Sequence, residues 1–541
     1  MFAAPACAPF LLTLTWLLPL ASAGVLMAFP AGSASAVRRF SLAANGFNLV
    51  LIGLLSAAFF LHPPQVPAGS TESVLAFVTD IPWFAALNIR YHAGVDAISM
   101  AMMLMAAVVI FCGTLASWNI EVRTKEFFIL LQVLAAGVFG SFITFDLFAF
   151  FVFNELTLIP TYLLIGMFGS GRKEYAAMKL NLMLMGGSAL ILLGILGLYF
   201  ESGIHTFDIL ELSRIRFDRG FQMWAFPSVF LGFGILGNMF PFHIWSPDGH
   251  ASAPTAVSMF LAGVHMKLGS YGCLRIAMYL MPEGCQAWMD VFLILAAAGV
   301  VWGAFVAVKQ KDLKYLNAYS SVSHCGLVFL GLAVLNATGL RGAVMQMLAH
   351  GFITAAVFCL IGMIYARTHT RKIPEMSGLM SSMPFLGTCF VIAGFAALGL
   401  PGLAGFAAEL NVFIGGLTSG RPLPIVCTGL AVMSIVVTAI YILRATNGIL
   451  HGPAKDGGEA LVVSAGLAAA DGHTAGNSHT AADGQVEAIA LVAGKSVDAT
   501  FIEKVPLVLL LACIVAMGLF PGRLAALLDQ AIQPILNNLN R

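Results

Sequence analysis

Long apolar runs recur along almost the whole chain, and no other feature restricts its fold as much. Ile191–Phe200 is one such run. About 20 predominantly apolar residues cross a bilayer as a helix. Composition points the same way. The 541 residues are 59% hydrophobic and 10% charged, against about 25% charged in soluble domains. A soluble chain has no means of burying so much apolar surface. The expected class is all-α, a polytopic membrane protein in contact with the lipid bilayer. A formal net charge of +1 argues against a nucleic-acid partner. The nine cysteines are scattered and show no zinc or iron–sulfur spacing, so they read as small buried hydrophobes.

Fourteen spans are expected, near 7–29, 40–61, 97–117, 127–145, 147–168, 178–200, 223–244, 255–280, 288–308, 314–335, 341–365, 384–416, 423–449 and 504–521. The first lacks a basic stretch before it and is followed by equally apolar runs, so it reads as a retained helix rather than a signal peptide. The seventh carries Gly232, Gly234 and Gly237 and ends at Pro241. The twelfth is interrupted by Gly399-Leu400-Pro401-Gly402. Such residues are tolerated in a membrane where the freed backbone lines a polar cavity or is buried in protein. Two broken helices five spans apart imply two units related by inversion, with the functional site at the breaks. The segments then divide as 1–126 (three N-terminal helices), 127–280 and 281–450 (the two repeats), 451–503 and 504–541. Residues 62–96 read as a polar loop. Residues 451–503 read as a flexible Ala/Gly-rich loop whose histidines (His451, His473, His479) are too loosely spaced for a metal site. Residues 522–539 are apolar on one side and are expected along the membrane surface.

Lys and Arg set the orientation. With the N-terminus outside, seventeen of the 27 fall in inside loops and eight in outside loops, leaving Lys267 and Arg275. Both termini are therefore expected outside, which requires an even number of spans.

A charge at the bilayer centre costs at least about 2.5–3.5 kcal/mol, so it needs a reason. Glu155, Lys267 and Glu409 fall near mid-span. Lys267 lies roughly 20 Å into its helix at 1.5 Å rise per residue, too deep for easy snorkelling. Each has a bland alternative: a structural pair for Glu155, snorkelling for Lys267, a cap at the helix break for Glu409. Intramembrane His265, His324 and His350 form a second set, because histidine titrates near neutral pH and passes protons. His324 and His350 lie in successive spans beside Ser320, Ser321, Ser323 and Gln346. His265 is two residues from Lys267 and so faces elsewhere. These buried charges point to proton or cation translocation.

The segments FFVFNELTLIPTYLLIGMFG at 150–169, PFHIWSPDGHASAPTAVSMFLAGVHMKLGSYGCLR at 241–275, QKDLKYLNAYSSVSHCGLVFLG at 310–331, GAVMQMLAHGFITAAVFCLIGMIYARTHTR at 342–371 and GLPGLAGFAAELNVFIG at 399–415 are long and specific. They resemble the antiporter-like proton-pumping subunits of respiratory complex I (NADH:quinone oxidoreductase), and most of all the M-type chain, the counterpart of mitochondrial subunit four. The resemblance covers roughly residues 90–450. It implies fourteen helices, two inverted five-helix repeats and broken seventh and twelfth helices. It makes Glu155 the fifth-helix glutamate that tunes a neighbouring lysine. Lys267 becomes the eighth-helix lysine joining two half-channels, and Glu409 the twelfth-helix glutamate near the outer exit. His324 and His350 match polar-axis histidines, and Asp146 and Lys179 fall on motif positions. The resemblance also implies other membrane subunits of a complex I-like assembly as partners. NAD, FMN, iron–sulfur clusters and quinone would sit in partner subunits, with no cofactor in this chain. The expected location is the cell inner (cytoplasmic) membrane.

One departure matters. The family carries a lysine seven residues before the histidine of its PxHxW motif; here that histidine is His243 and the position is Leu236. Leucine carries no proton, and Asn238 nearby does not titrate. His265 also departs from the apolar residue usual before the eighth-helix lysine. The leading reading is a proton-translocating subunit whose Glu155–Lys267–His324–His350–Glu409 axis is driven by redox chemistry elsewhere. The alternatives are an Mrp-type sodium/proton antiporter subunit, a membrane-bound hydrogenase subunit, and a paralogue whose first half-channel is impaired at Leu236.

Overall fold

The computed structural model describes residues 7–30, 32–67, 69–453 and 498–540. His473 and His479, and most of the loop expected at 451–503, lie outside the described residues. Among the described residues the chain builds fourteen spans. The first six are α1 (Ala8–Ala28), α2 (Ala34–Leu61), α3 (Ala97–Ala116), α4 (Thr124–Ile143), α5 (Leu147–Phe168) and α6 (Lys173–Glu201). The seventh is broken into α7 (Arg219–Leu236) and α8 (Trp245–Ser252). Then come α9 (residues 255–280), α10 (Pro282–Lys309), α11 (Leu313–Ala333) and α12 (Ala337–Thr368). The twelfth span is broken into α13 (Pro384–Ala397) and α14 (Ala404–Leu417); α15 (Pro422–Leu450) and α16 (Phe501–Leu519) complete the set.

Ten of these helices are individually long and apolar enough to cross a membrane. The four spans outside that group are the broken seventh, α9, α11 and the broken twelfth. They hold Leu236, Lys267, His324 and Glu409. Polarity is concentrated where the chain departs from a plain apolar rod, and such spans are stable only when surrounded by other helices.

The inverted repeat is visible in the backbone. On the face that bears the N-terminus, the chain between α4 and α5 pairs with the chain before α7. Leu147 N donates to Phe207 O at 2.8 Å and Ile209 N to Phe145 O at 2.8 Å. On the opposite face, the chain between α10 and α11 pairs with the chain after α12. Leu313 N donates to Arg371 O at 3.0 Å and Ile373 N to Lys311 O at 2.8 Å. The aspartate in each bridge caps the next helix: Asp146 accepts from Ala149 N at 2.9 Å, and Asp312 from Lys314 N at 2.8 Å. Caps of this kind satisfy the orphan N–H groups of a first turn. The two units use one clasp, inverted.

Two expectations need correction. Residues 62–96 are not simply a loop, because β1 (Ala76–Phe84) and β2 (Ile89–Val95) pair antiparallel there. The prolines at 63, 64 and 67 mask the strands, and Asn88 turns the hairpin at φ +52°. The seventh span does not stop near 244, since α8 continues it. The terminal amphipathic segment is helix α17 (Pro521–Leu539), and its apolar side (Leu528, Ile532, Ile535, Leu536) is buried against the bundle. It straps the N-terminal face through Asp529–Arg341 at 2.8 Å, Asn537 Nδ2 to Ser70 O at 2.7 Å and Asn538 Nδ2 to Tyr279 O at 2.5 Å.

Candidate functional site: a buried Lys–His–His–Glu chain

The centre of the molecule is the crossing of α9 with the break in the seventh span. Gly269 permits it: a Cβ there would lie 2.3 Å from Gly237 N. The break is closed by Met239 N donating to Gly234 O at 2.9 Å, and by Trp245 Nε1 donating to Ile235 O at 3.0 Å. Asn238 takes φ +69°, which asparagine tolerates better than most residues. α9 itself is not a uniform helix, having wide π turns at Leu261–His265 and Cys273–Met278. Such turns cluster at functional sites.

The first wide turn presents Lys267. Its Nζ donates to Ala262 O at 2.5 Å and lies 2.5 Å from His350 Nδ1 on α12. The His350 and His324 ring centroids are 5.5 Å apart. His324 Nδ1 stands 3.4 Å from Glu409 Oε1 on α14 and 3.3 Å from Gln346 Nε2. All four are buried, Lys267 at 1% exposure and Glu409 at 7%. The twelfth-span break reaches the carboxylate. Gly399, at φ +75°, would place a Cβ 2.6 Å from Glu409 Oε2, so only glycine fits. A cavity on the scale of one water lies among these groups, lined by Asn317, Ser320, His324, Gln346, His350 and Glu409. Among the described residues the buried Nε2 atoms of both histidines have no hydrogen-bond partner. A single water there would join groups that do not touch directly.

The expected axis is therefore reordered. The chain runs Lys267–His350–His324–Glu409, with His350 next to the lysine. Glu155 is not part of it. Its Oε1 accepts from Ser188 Oγ on α6 at 2.5 Å, on the side of the bundle where Val152 and Ile159 are exposed. Among the described residues it has no lysine partner. Lys179 instead pairs with Asp248 on α8 at 2.6 Å. His265 faces away from Lys267, as its spacing requires, and shares a hydrogen bond with Thr157 Oγ1 on α5 at 2.9 Å. Leu236 ends α7 as a buried apolar contact, 4% exposed.

Sequence reasoning missed two sets of residues. One lies toward the face opposite the N-terminus. Tyr315 OH donates to Asp248 Oδ1 at 3.1 Å, and Lys314 Nζ donates to Ala253 O at 2.7 Å. His250 is fully buried and stacked on Phe358 at 5.0 Å, with no partner for either ring nitrogen. Its signal was available, since His250 lies in the same broken-helix segment as His243. The other set is a buried ion pair between Arg275 and Asp96 near the N-terminal face. Lys267, Tyr271 and Arg275 recur every four residues on one side of α9, but nothing local in the sequence points to the partner Asp96.

Residues 144–436 match the family model described as NADH:quinone oxidoreductase/Mrp antiporter, TM. A chain called NAD(P)H-quinone oxidoreductase chain 4 1 from Synechococcus elongatus is 36% identical over 438 residues, 81% of this chain and 81% of that one. Chain 4 2 from Thermosynechococcus vestitus is 34% identical over 447 residues, 82% of each. Among solved structures, a chain of respiratory complex I from Thermus thermophilus with bound NADH superposes with a TM-score of 0.80 at 27% identity, covering 98% of this chain and 99% of that one. The Mrp complex from Dietzia gives 0.77 at 22% identity, covering 99% and 98%; this is a likeness of fold.

Proposed function

The chain belongs to the NADH:quinone oxidoreductase/Mrp antiporter membrane family, as an antiporter-like subunit of the complex I type, and on that premise we propose that it carries protons outward through the Lys267–His350–His324–Glu409 chain. The observation that carries this reading is the spacing of those four groups over four spans, with a water-scale cavity at the one gap between rings.

Each step is a short exchange. Protonated Lys267 passes a proton to His350 Nδ1, and His350 releases one from Nε2 to cavity water. His324 takes it up and passes it to Glu409, which lies beyond the twelfth-span break toward the N-terminal face. A change of charge at one group alters proton affinity at the next, so motion at one end drives the other. Intake from the opposite face runs past the Lys179–Asp248–Tyr315 cluster and His250 to Lys267, a path that does not need a base at position 236. In this reading the N-terminal face is outside, in keeping with the Lys and Arg bias. The chain lies in the inner membrane beside other membrane subunits. Redox chemistry at NAD, FMN, iron–sulfur clusters and quinone in those partners supplies the energy.

The test is Glu409→Gln in the assembled complex, reconstituted in vesicles, with protons counted per electron. Glutamine keeps the shape and cannot take the proton. Translocation should fall by about tenfold or more through this subunit, the scale of a lost acid–base group. An unchanged stoichiometry overturns the assignment of Glu409.

A further inference from the structure

We propose a second outward branch from Lys267, running along α9 through Tyr271 and Ser99 to a water cavity at the Arg275–Asp96 pair. It rests on the reading of Lys267 as the central relay, but it does not pass through Glu409.

Lys267, Tyr271 and Arg275 lie four residues apart, so they share one side of α9. The first wide turn precedes this stretch and the second contains Arg275. Tyr271 is 1% exposed, and its hydroxyl is 2.8 Å from Ser99 Oγ on α3. Ser99 belongs to the first turn of α3, whose cap is Asp96: Ser99 N donates to Asp96 Oδ1 at 2.9 Å. The other Asp96 oxygen pairs with Arg275, which also donates to Ser73 Oγ at 3.1 Å and lies over the Phe145 ring at 5.2 Å. Arg275 Nε has no protein partner. Beyond the pair is a cavity on the scale of one water, lined by Ser73, Asp96, Gln530 and Pro534, under the α17 strap.

A buried ion pair is weak evidence for stability, because desolvation offsets most of its attraction. Here it has a specific electrostatic consequence. An unpaired Arg275 would repel a proton approaching from Lys267. Asp96 neutralises that charge and leaves the hydroxyl pair as the nearest path. The Lys267 ammonium gives one proton to a water and becomes an amine. Tyr271 oxygen receives that proton as its own hydroxyl proton moves to Ser99 Oγ, and Ser99 passes its original proton on past its cap partner Asp96, which lines the cavity, to the water there. Each hydroxyl ends unchanged, and intake from the opposite face, past His250, reprotonates Lys267.

The experiment uses the whole complex in vesicles and compares Glu409→Gln with the double variant Glu409→Gln/Tyr271→Phe, with Ser99→Ala as a second, smaller lesion. Phenylalanine keeps the ring and removes only the relay oxygen. Translocation left in Glu409→Gln should fall by a further factor of about ten in the double variant, and Ser99→Ala in the same background should fall likewise. Equal residual rates in the single and double variants overturn the branch. So does a Glu409→Gln complex that moves no protons at all, which would uphold Glu409 as sole exit. If Glu409→Gln is normal, the exit through Glu409 fails by itself, and Tyr271→Phe alone then decides the branch: a loss supports it and no change overturns it.

Discussion

The two five-helix units share a scaffold and differ in chemistry. Both close with the same inverted backbone clasp, and both contain a broken span that meets a neighbouring helix at a glycine contact. In the second unit the break delivers Glu409 to a chain of bonded or water-separated groups. In the first unit the break ends at Leu236, and the polar groups stand apart: Glu155 on Ser188, His265 on Thr157, Lys179 on Asp248. Repeating a backbone therefore does not repeat a connected chain of polar groups. The proposed path depends on side chains lying within one hydrogen bond or one water of each other.

The comparison breaks most sharply at the junction of the units. Lys267→Met removes the group both halves share, and outward translocation should fall by about a hundredfold through this subunit, with quinone reduction less affected. His350→Leu should resemble it, because His350 is the lysine's direct partner on the exit side. A His350→Leu complex with full stoichiometry would show that Lys267 discharges by the α9 side alone.

The next test moves chemistry into the poorer half. Leu236→Lys places an amine at a 4%-exposed site, and a charge in a membrane interior costs at least about 2.5–3.5 kcal/mol. The expected result is a less stable, thermally earlier-melting complex with no gain in protons per electron, since no acceptor lies bonded to that position. A gain in stoichiometry would mean that the first unit lacks only this one group. Glu155→Gln is smaller still. It sits off the relay chain, so its loss should lower translocation less than Glu409→Gln does. Equal losses would place Glu155 in the same path and erase the contrast between the halves.

Much of this was legible beforehand, for a physical reason. Apolar length and breakers dictate spans, and the cost of a buried charge singles out Glu155, Lys267 and Glu409 from one sequence. The order of the contacts from Lys267 to Glu409 was not legible, because it depends on which face of α12 meets α9, and His324 and His350 look equivalent in sequence. The fate of Glu155 was hidden for a like reason: its partner is a serine, a residue that carries no special signal. The hairpin was obscured by prolines just before it, and Arg275 by the lack of any local partner, since Asp96 is 179 residues away.

The smallest expected effect concerns the clasp of the first unit, which carries titratable groups outside the spans. Asp146 is pushed up to about 6 by burial, against the hydrogen bonds it accepts from Ala149 and Arg90 backbone. His92 on β2 is raised above 6.5; burial pushes it down, but the Asp208 carboxylate overcomes this, and Asp208 is in turn lowered. The signs separate three windows. The raised Asp146 favours the folded clasp most at low pH, and that advantage is lost as pH climbs from 3.8 to about 6. The raised His92 contributes fully below 6.5 and loses its contribution as pH passes through its folded value above that. The lowered Asp208 contributes above 3.8 and loses this only in acid. Above about pH 7 the change at Asp146 is complete and His92 is the group still titrating, so amide exchange in β2 should quicken as pH rises from about 7 to 9, beyond the intrinsic rate increase. The opposite clasp is built on Asp312 and Lys372, with no histidine in the pairing, and should show no such excess. His92→Gln should remove the difference between the two clasps; an excess that survives this change would assign the pH response to some other group on the hairpin.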